Sequence, residues 1–348
     1  MAPDSGGYSE KELLRMIRKW VPRERVPKRA RVKDTADFFR VDYDDVVMLN
    51  GVPYFVRNNE REGRFGLDDE QKFWVKRARN LLTGDVKILK WVFRERFEAR
   101  IGNFVFECVR SPQKEARILE LVRGRPDFMQ GETVLDSSGG QLRILDYIRG
   151  KTLGQLATEE GKDHLDFFHN FYPQLLGEFI KIVEAIRFLH ENGEKHGDIR
   201  RDHIIRDAAS GTYRWIDFDF NYRHGESRFG FDLFGLGNVL LFITGRGDIT
   251  THRLLRESPE LLDRLTQDDV NIVFHNRVNN LKKIYPYIPE KLNRVLMHFS
   301  LSAPVYYEHT SELLEDLGEA RVELPGGGRK AEGCASSGTA VPCRRHSS

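Results

Sequence analysis

Cysteine is scarce in this chain. There are three in 348 residues, Cys108, Cys334 and Cys343, and no Cys-x-x-Cys pair. An odd, widely spaced set offers no disulfide framework and no structural zinc site, and it points to a reducing compartment. Long apolar runs are missing too. No stretch approaches the ~18 residues a membrane helix needs, and the opening MAPDSGGYSEKELLRMIRKW has no uninterrupted apolar core of the secretory kind. Charge of one sign is also lacking: 55 Lys and Arg against 53 Asp and Glu leave a formal net of +2. That excludes a whole-chain polyelectrolyte binder of nucleic acid. These absences lead us to expect a soluble, cytoplasmic protein without a membrane span.

What is present is an ordinary globular composition, 40% hydrophobic and 31% charged, long enough for two lobes. Residues 9 to 21 read as a short amphipathic helix. Ser9 and Glu12 fit a capping box, and Leu13, Leu14, Ile17, Trp20 and Val21 fall near one face. The basic stretch from Arg15 to Lys33, broken by Pro22 and Pro27, is a docked, solvated extension or a nucleic-acid or lipid contact. Residues 46 to 110 are strand-rich, with VVMLNGVPYFV, KFWVKRA, DVKILKWVF, RFEARI and NFVFECV as candidates. SPQKEARILELVRG reads as a helix opened by Ser111 and Pro112, and GETVLDSSGGQLRILDYIRG as two more strands. After Gly150 the texture turns helical. Leu176, Phe179, Val183, Ile186 and Leu189 recur at helical spacing up to a stop at Gly193, and FGFDLFGLGNVLLFITG is apolar enough to be buried all round. Residues 258 to 320 suggest further helices, and the Gly- and Ser-rich stretch after Pro325 suggests disorder. Strands followed by helices argue an α+β fold in two lobes. The divisions we expect are an N-terminal extension (1–45), a strand-rich lobe (46–148), a helical lobe (149–323) and a tail (324–348).

Three segments in order carry chemistry: FLHENGEKHGDIRRDHII, WIDFDF and FDLFGLGNVLLFITG. Together they resemble the catalytic loop, metal-binding segment and central buried helix of the protein-kinase-like superfamily, over roughly residues 55 to 320. The resemblance implies a bilobal kinase-like fold and ATP-dependent phosphoryl transfer, which rests on positioning and charge neutralisation. It makes Asp198 the carboxylate that takes the acceptor's proton and Arg200 the cation facing the transferred phosphate. Arg200 tilts the acceptor mildly toward a protein. His203 stands where the family usually has asparagine on a second metal. Mg²⁺ prefers oxygen, so His203 implies altered metal preference (Mn²⁺), one-metal catalysis or lost catalysis. A zinc site of His190, His196 and His203 fits no usual ligand spacing.

By the same resemblance Asp217 bridges metal and phosphates. Asp219 replaces the family's glycine, and Gly197 replaces an arginine that often reads a phosphorylated loop. With a short following segment, this argues against switching by loop phosphorylation. Asp232 resembles the aspartate that holds the catalytic-loop backbone. In the strand-rich half, Lys90 is the phosphate-pairing lysine, with Lys76 as alternative. Glu115 is its carboxylate partner, with Glu120 as alternative, despite an extra hairpin between Lys90 and Glu115. Gly63 and Gly66 form a degenerate phosphate cover, as consistent with a plain hairpin turn. The backbone at Asp146 and Ile148 forms an adenine-binding hinge, with Leu145 behind it. The expected ligands are ATP, Mg²⁺ or Mn²⁺ and a hydroxyl-bearing acceptor. Three functions stay open: an active kinase on a protein or small molecule, a pseudokinase, and a binding protein working through its basic N-terminal arm.

Overall fold

A computed structural model describes residues 6–62, 70–101, 103–223 and 227–325. It opens with helix α1 (Glu10–Trp20), whose capping box forms as the sequence predicts: Ser9 and Glu12 satisfy each other's backbone N–H. Eleven residues are marginal as a lone helix. Burial of Leu13, Ile17 and Val21 against Val46, Phe55 and Leu81 holds α1 in place, each apolar side chain contributing roughly 1.5–3 kcal/mol gross. Trp20 lies over Gly84, where a Cβ would stand 2.5 Å from the ring, and its Nε1 donates to Leu81 O at 3.0 Å.

Strands follow: β1 (Arg31–Lys33), β2 (Asp45–Leu49), β3 (Val52–Glu62), β4 (Glu70–Asn80), β5 (Val86–Trp91), β6 (Glu95–Ile101) and β7 (Phe104–Arg110). Helix α2 (Pro112–Leu121) and strands β8 (Gly131–Leu135) and β9 (Gln141–Asp146) complete this half. Seven of the strands form one sheet, ordered β1-β2-β3-β4-β5-β9-β8. The pairing is antiparallel except for β1 on β2. The chain before residue 46 is therefore woven into the sheet rather than appended to it: α1 packs on it, β1 extends it, and the expected division at 45/46 falls inside β2.

The second half holds β10 (Gly150–Thr152), α3 (Leu153–Glu159), α4 (His164–Asn170), α5 (Tyr172–Glu191), β11 (Ile204–Asp207), β12 (Tyr213–Trp215) and β13 (Phe220–Arg223). Then come α6 (Gly230–Thr244), α7 (Thr251–Glu257), α8 (Glu290–Met297) and α9 (Thr310–Val322). The whole is mixed α+β. Helix α6 is buried around nearly its full circumference, as its unbroken apolar sequence requires. The large core gathers α5, α6 and α9. Between 258 and 309 the expected helices are mostly three- to six-residue 3-10 turns, such as Gln267–Asp269 and Leu281–Lys283.

The hairpin β6–β7 stays out of the main sheet. β7 pairs with β13, Phe220 opposite Arg110, in a separate sheet ordered β13-β7-β6. The inserted hairpin thereby fixes the chain just beyond Asp217 and Asp219.

Candidate active site

Each element delivers one charge to a common point. Lys90 sits on β5, a strand buried on this face, and its Nζ meets three carboxylates. Glu115 Oε1 from α2 is at 2.8 Å, Asp217 Oδ1 at 2.5 Å and Asp219 Oδ2 at 3.0 Å. Burial works against the Lys90 ammonium, but Asp217, Asp219 and Glu115 outweigh it and hold its pKa above the ordinary lysine range. Glu115 is fully buried, and burial raises its pKa against the pull of Lys90. Arg143 Nε lies 3.6 Å from Glu115 Oε2, and Arg110 Nε 3.4 Å from Asp219 Oδ2. A buried ion cluster is poor value for stability, because desolvation costs about what pairing returns. Dense charge in one place is more often a mark of function.

Asp217 is the hub. Its Oδ2 accepts from Lys72 Nζ at 3.0 Å and faces His203 Nε2 at 3.7 Å. Burial would raise its pKa, but Lys72, Lys90 and His203 hold it well below the carboxylate range. Its backbone has φ of +62°, a left-handed conformation that costs a non-glycine residue about 1 kcal/mol or more and persists where the surroundings impose it. His203, buried, places Nδ1 2.8 Å from Asp198 O. That contact needs a proton on Nδ1 and leaves Nε2 facing Asp217. Asp198 Oδ2 is 3.7 Å from the same Nδ1. Asp198, His203 and Asp217 therefore converge.

The loop bearing Asp198 is held from beneath. Fully buried Asp232, at the start of α6, accepts from His196 N at 2.7 Å, Gly197 N at 2.8 Å and His190 Nε2 at 3.0 Å. Burial opposes its charge, and His190, His196 and the Gly197 N–H more than compensate, so its pKa is lowered. Gly197 has φ of +88°, and a Cβ there would lie 1.8 Å from Phe220 O. No arginine fits in this backbone. The cation in this space is Lys114, whose Nζ donates to His196 O at 2.6 Å, to Phe218 O at 3.0 Å and to Phe220 O. It is one residue from Glu115 on α2, so one helix turn reaches both the charge cluster and the two loops.

The other expected residues stand apart from this point. Arg200 pairs with Asp202, Nε to Oδ1 at 3.1 Å. Asp146 is exposed, takes Lys87 on its carboxylate at 2.5 Å, and spends its N–H on Gln130 O at 2.9 Å. The hinge expectation thus narrows to the Asp146 carbonyl and the backbone of Ile148, which packs on the large core. Gly63 and Gly66 lie outside the described residues. Of the alternatives, Lys76 is buried on Asn59 Oδ1 at 2.8 Å, and Glu120 pairs with Arg123 at the surface. Neither meets the cluster. The three histidines do not converge either: His190 bonds Asp232, and His196 packs on Trp215 with ring centroids 4.7 Å apart. Among the described residues no group of three or more His, Cys, Asp or Glu is arranged to hold a metal. The protein offers two donors, Asp217 Oδ2 and His203 Nε2. That suits an ion completed by phosphate oxygens and water, as nucleotide-bound metals commonly are. Lys72, Lys114, Arg110 and Arg143 were not foreseen as part of the site.

Comparison with known proteins agrees in kind and is narrow in extent. The chain is 24% identical over 144 residues to CBL-interacting serine/threonine-protein kinase 9 of Arabidopsis thaliana, covering 41% of this chain and 29% of that protein. This is a weak, partial similarity to a protein kinase. No family model matches the chain. No helix among the described residues is long and apolar enough to cross a membrane.

Proposed function

We propose that the chain is an ATP-dependent phosphotransferase with a bilobal, protein-kinase-like arrangement, moving the γ-phosphoryl group to a hydroxyl acceptor. The observation that carries this reading is the convergence of Lys90, Glu115, Asp217, His203 and Asp198 from four separate segments onto one point. In this reading Glu115 orients Lys90, which turns from Asp217 to the α- and β-phosphates when nucleotide enters. Asp217 and His203 would hold Mg²⁺ or Mn²⁺, which when bound supplies charge neutralisation at the phosphates. Asp198 takes the acceptor hydroxyl's proton as its oxygen attacks the γ-phosphorus. The bond from that phosphorus to the β-bridging oxygen breaks, and ADP leaves with the electron pair. Asp232 and Lys114 hold the loops that carry these groups. The Asp146 carbonyl and Ile148 backbone would receive the adenine.

A protein Ser/Thr acceptor is favoured by Arg200 and by the kinase similarity. Asp202, already paired with Arg200, weakens the first of these grounds and keeps a small-molecule hydroxyl in view. The test is transfer from labelled ATP by wild type and Asp198→Asn. Turnover is expected to fall ~10²–10⁴-fold in the variant, with nucleotide-dependent stabilisation retained.

Two observations favour a second reading, a nucleotide-binding module without turnover. Lys72 and Lys90 both occupy Asp217, and histidine replaces an oxygen donor at 203. ATP would then stabilise wild type and Asp198→Asn alike, with no transfer from either.

A further inference from the structure

Arg110, the last residue of β7, is a buried cation outside the candidate chemistry. Its guanidinium lies over three rings, Phe220 at 4.5 Å, Phe93 at 4.6 Å and Trp74 at 5.5 Å. Its Nε stands 3.4 Å from Asp219 Oδ2 and 3.6 Å from Glu95 Oε2. Among the described residues its Nε and Nη1 make no hydrogen bond, and neither carboxylate oxygen of Asp219 accepts one. The aromatic cage therefore holds the arginine, and it meets Asp219 through charge. The backbone on both sides is pinned: Ser111 N donates to Asp219 O at 3.2 Å, and Phe220 pairs with Arg110 across β13 and β7. A cation buried this deeply is costly unless an anion beside it needs the charge. Asp219 is that anion, and its Oδ2 also lies 3.0 Å from Lys90 Nζ. Arg143 stands in the same relation to Glu115, which gives Oε1 to Lys90 and Oε2 to Arg143. Asp217, the third carboxylate around Lys90, has lysines and a histidine instead.

We propose that Arg110 is a positioning residue: by neutralising Asp219 it lets Lys90 leave the carboxylates for the nucleotide phosphates, and so sets the affinity for ATP. The inference rests on the nucleotide-binding step of the phosphotransferase reading, and it holds equally for a module that binds without turnover. Without the two arginines, Asp219 and Glu115 would both depend on Lys90. Each would hold the ammonium back, and each would be left as a bare buried charge if it moved. Excess negative charge in the cleft would also repel a polyphosphate. With Arg110 on Asp219 and Arg143 on Glu115, Asp217 is the carboxylate that must find a new partner when Lys90 moves. It is also the one facing His203, where a metal would arrive. The inserted hairpin β6–β7 thereby acquires a role beyond packing, since it carries Arg110 to Asp219.

The test is ATP affinity of the full chain by titration calorimetry with Mg²⁺, on variants shown by circular dichroism to be folded. Arg110→Met fills the same aromatic cage without the charge, and affinity should weaken about tenfold. Arg110→Lys keeps the charge and should stay within about threefold of wild type. Asp219→Asn removes the charge that Arg110 answers. Alone it should tighten ATP binding, and in the Arg110→Met background it should restore affinity to within about threefold of wild type. An arginine that only packs the hairpin would not be rescued by a change at Asp219. Unchanged affinity in Arg110→Met, an equal loss in Arg110→Lys, or no rescue by Asp219→Asn would each overturn the role of Arg110 while leaving the nucleotide site standing. If Arg110→Met does not fold, Asp219→Asn alone decides, and unchanged or weaker ATP binding overturns the proposal. No ATP binding by wild type would overturn the nucleotide reading itself, and this inference with it.

Discussion

Two aspartates, the half-buried Asp217 and the buried Asp232, lie fifteen positions apart in sequence and are held in opposite ways. Asp232 is fully buried, and two of its three partners are backbone N–H groups. Asp217 retains a fifth of its side-chain exposure, and its partners are the ends of Lys72, Lys90 and His203. Backbone partners cannot leave without unfolding a loop. Side-chain ammonium groups can move to a phosphate at little cost. The first arrangement builds a platform, and the second is a set of charges ready to exchange partners, as a ligand site needs.

The contrast can be broken by mutation. Asp232→Ala strands two buried N–H groups and a histidine, so we expect a loss of roughly 3–5 kcal/mol, measured by chemical denaturation. A loss under about 1 kcal/mol would remove the platform reading. Lys114→Met leaves three buried carbonyls without their donor while relieving a desolvated cation. About 1–3 kcal/mol is expected, with weaker nucleotide binding because both loops lose a tether. Acid separates the two regions further. Burial pushes His196, on the Asp232 side, down to about 3, and His164, bonded to Tyr287 and Thr244 away from both, down to about 4. Folded values lie below the unfolded value of ~6.5, so the unfolded chain binds protons that the folded chain refuses. Stability is complete above pH 6.5 and falls below it at about 1.4 kcal/mol per unit for each histidine, until pH 4 for His164 and pH 3 for His196. His164→Gln should remove about half of the slope between pH 6 and 4, and an unchanged slope would refute its assignment as a buried neutral ring. The smallest stability effect belongs to Asp217→Asn. Lys90 keeps Glu115 and Asp219, so a change under about 1 kcal/mol is expected; a loss as large as that of Asp232→Ala would erase the contrast.

Local chemistry was readable in advance, and distant pairing was not. The Ser9 and Glu12 cap, the stop at Gly193 and the apolar α6 are each set by neighbouring residues. The approach of Lys90 to Glu115 was implied by the family resemblance, even across an inserted hairpin. Lys72 could not: it lies 145 positions from Asp217 and looks like any lysine on a solvated strand. Lys114 has the same difficulty, since nothing local separates a lysine buried on three carbonyls from one in water. The pairing of β7 with β13 and of β1 with β2 depends on register between remote segments, which no short pattern encodes. Between 258 and 309, where helices are expected, most segments are 3-10 turns of three to six residues, a form that sequence composition does not separate from a short α-helix. Gly197 is the instructive case. As a missing arginine it reads as a lost function, but in the fold it is the residue that lets the Phe220 carbonyl approach and leaves room for Lys114.

The most direct test of the central claim, that Asp217 is the hub of a metal–nucleotide site, is thermal unfolding with ATP alone, ATP with Mg²⁺ and ATP with Mn²⁺, for wild type and Asp217→Asn. A metal-dependent rise in midpoint, larger with Mn²⁺ through His203 and abolished by Asp217→Asn, is the predicted result. No shift under any condition, or the same shift in the variant, would contradict it.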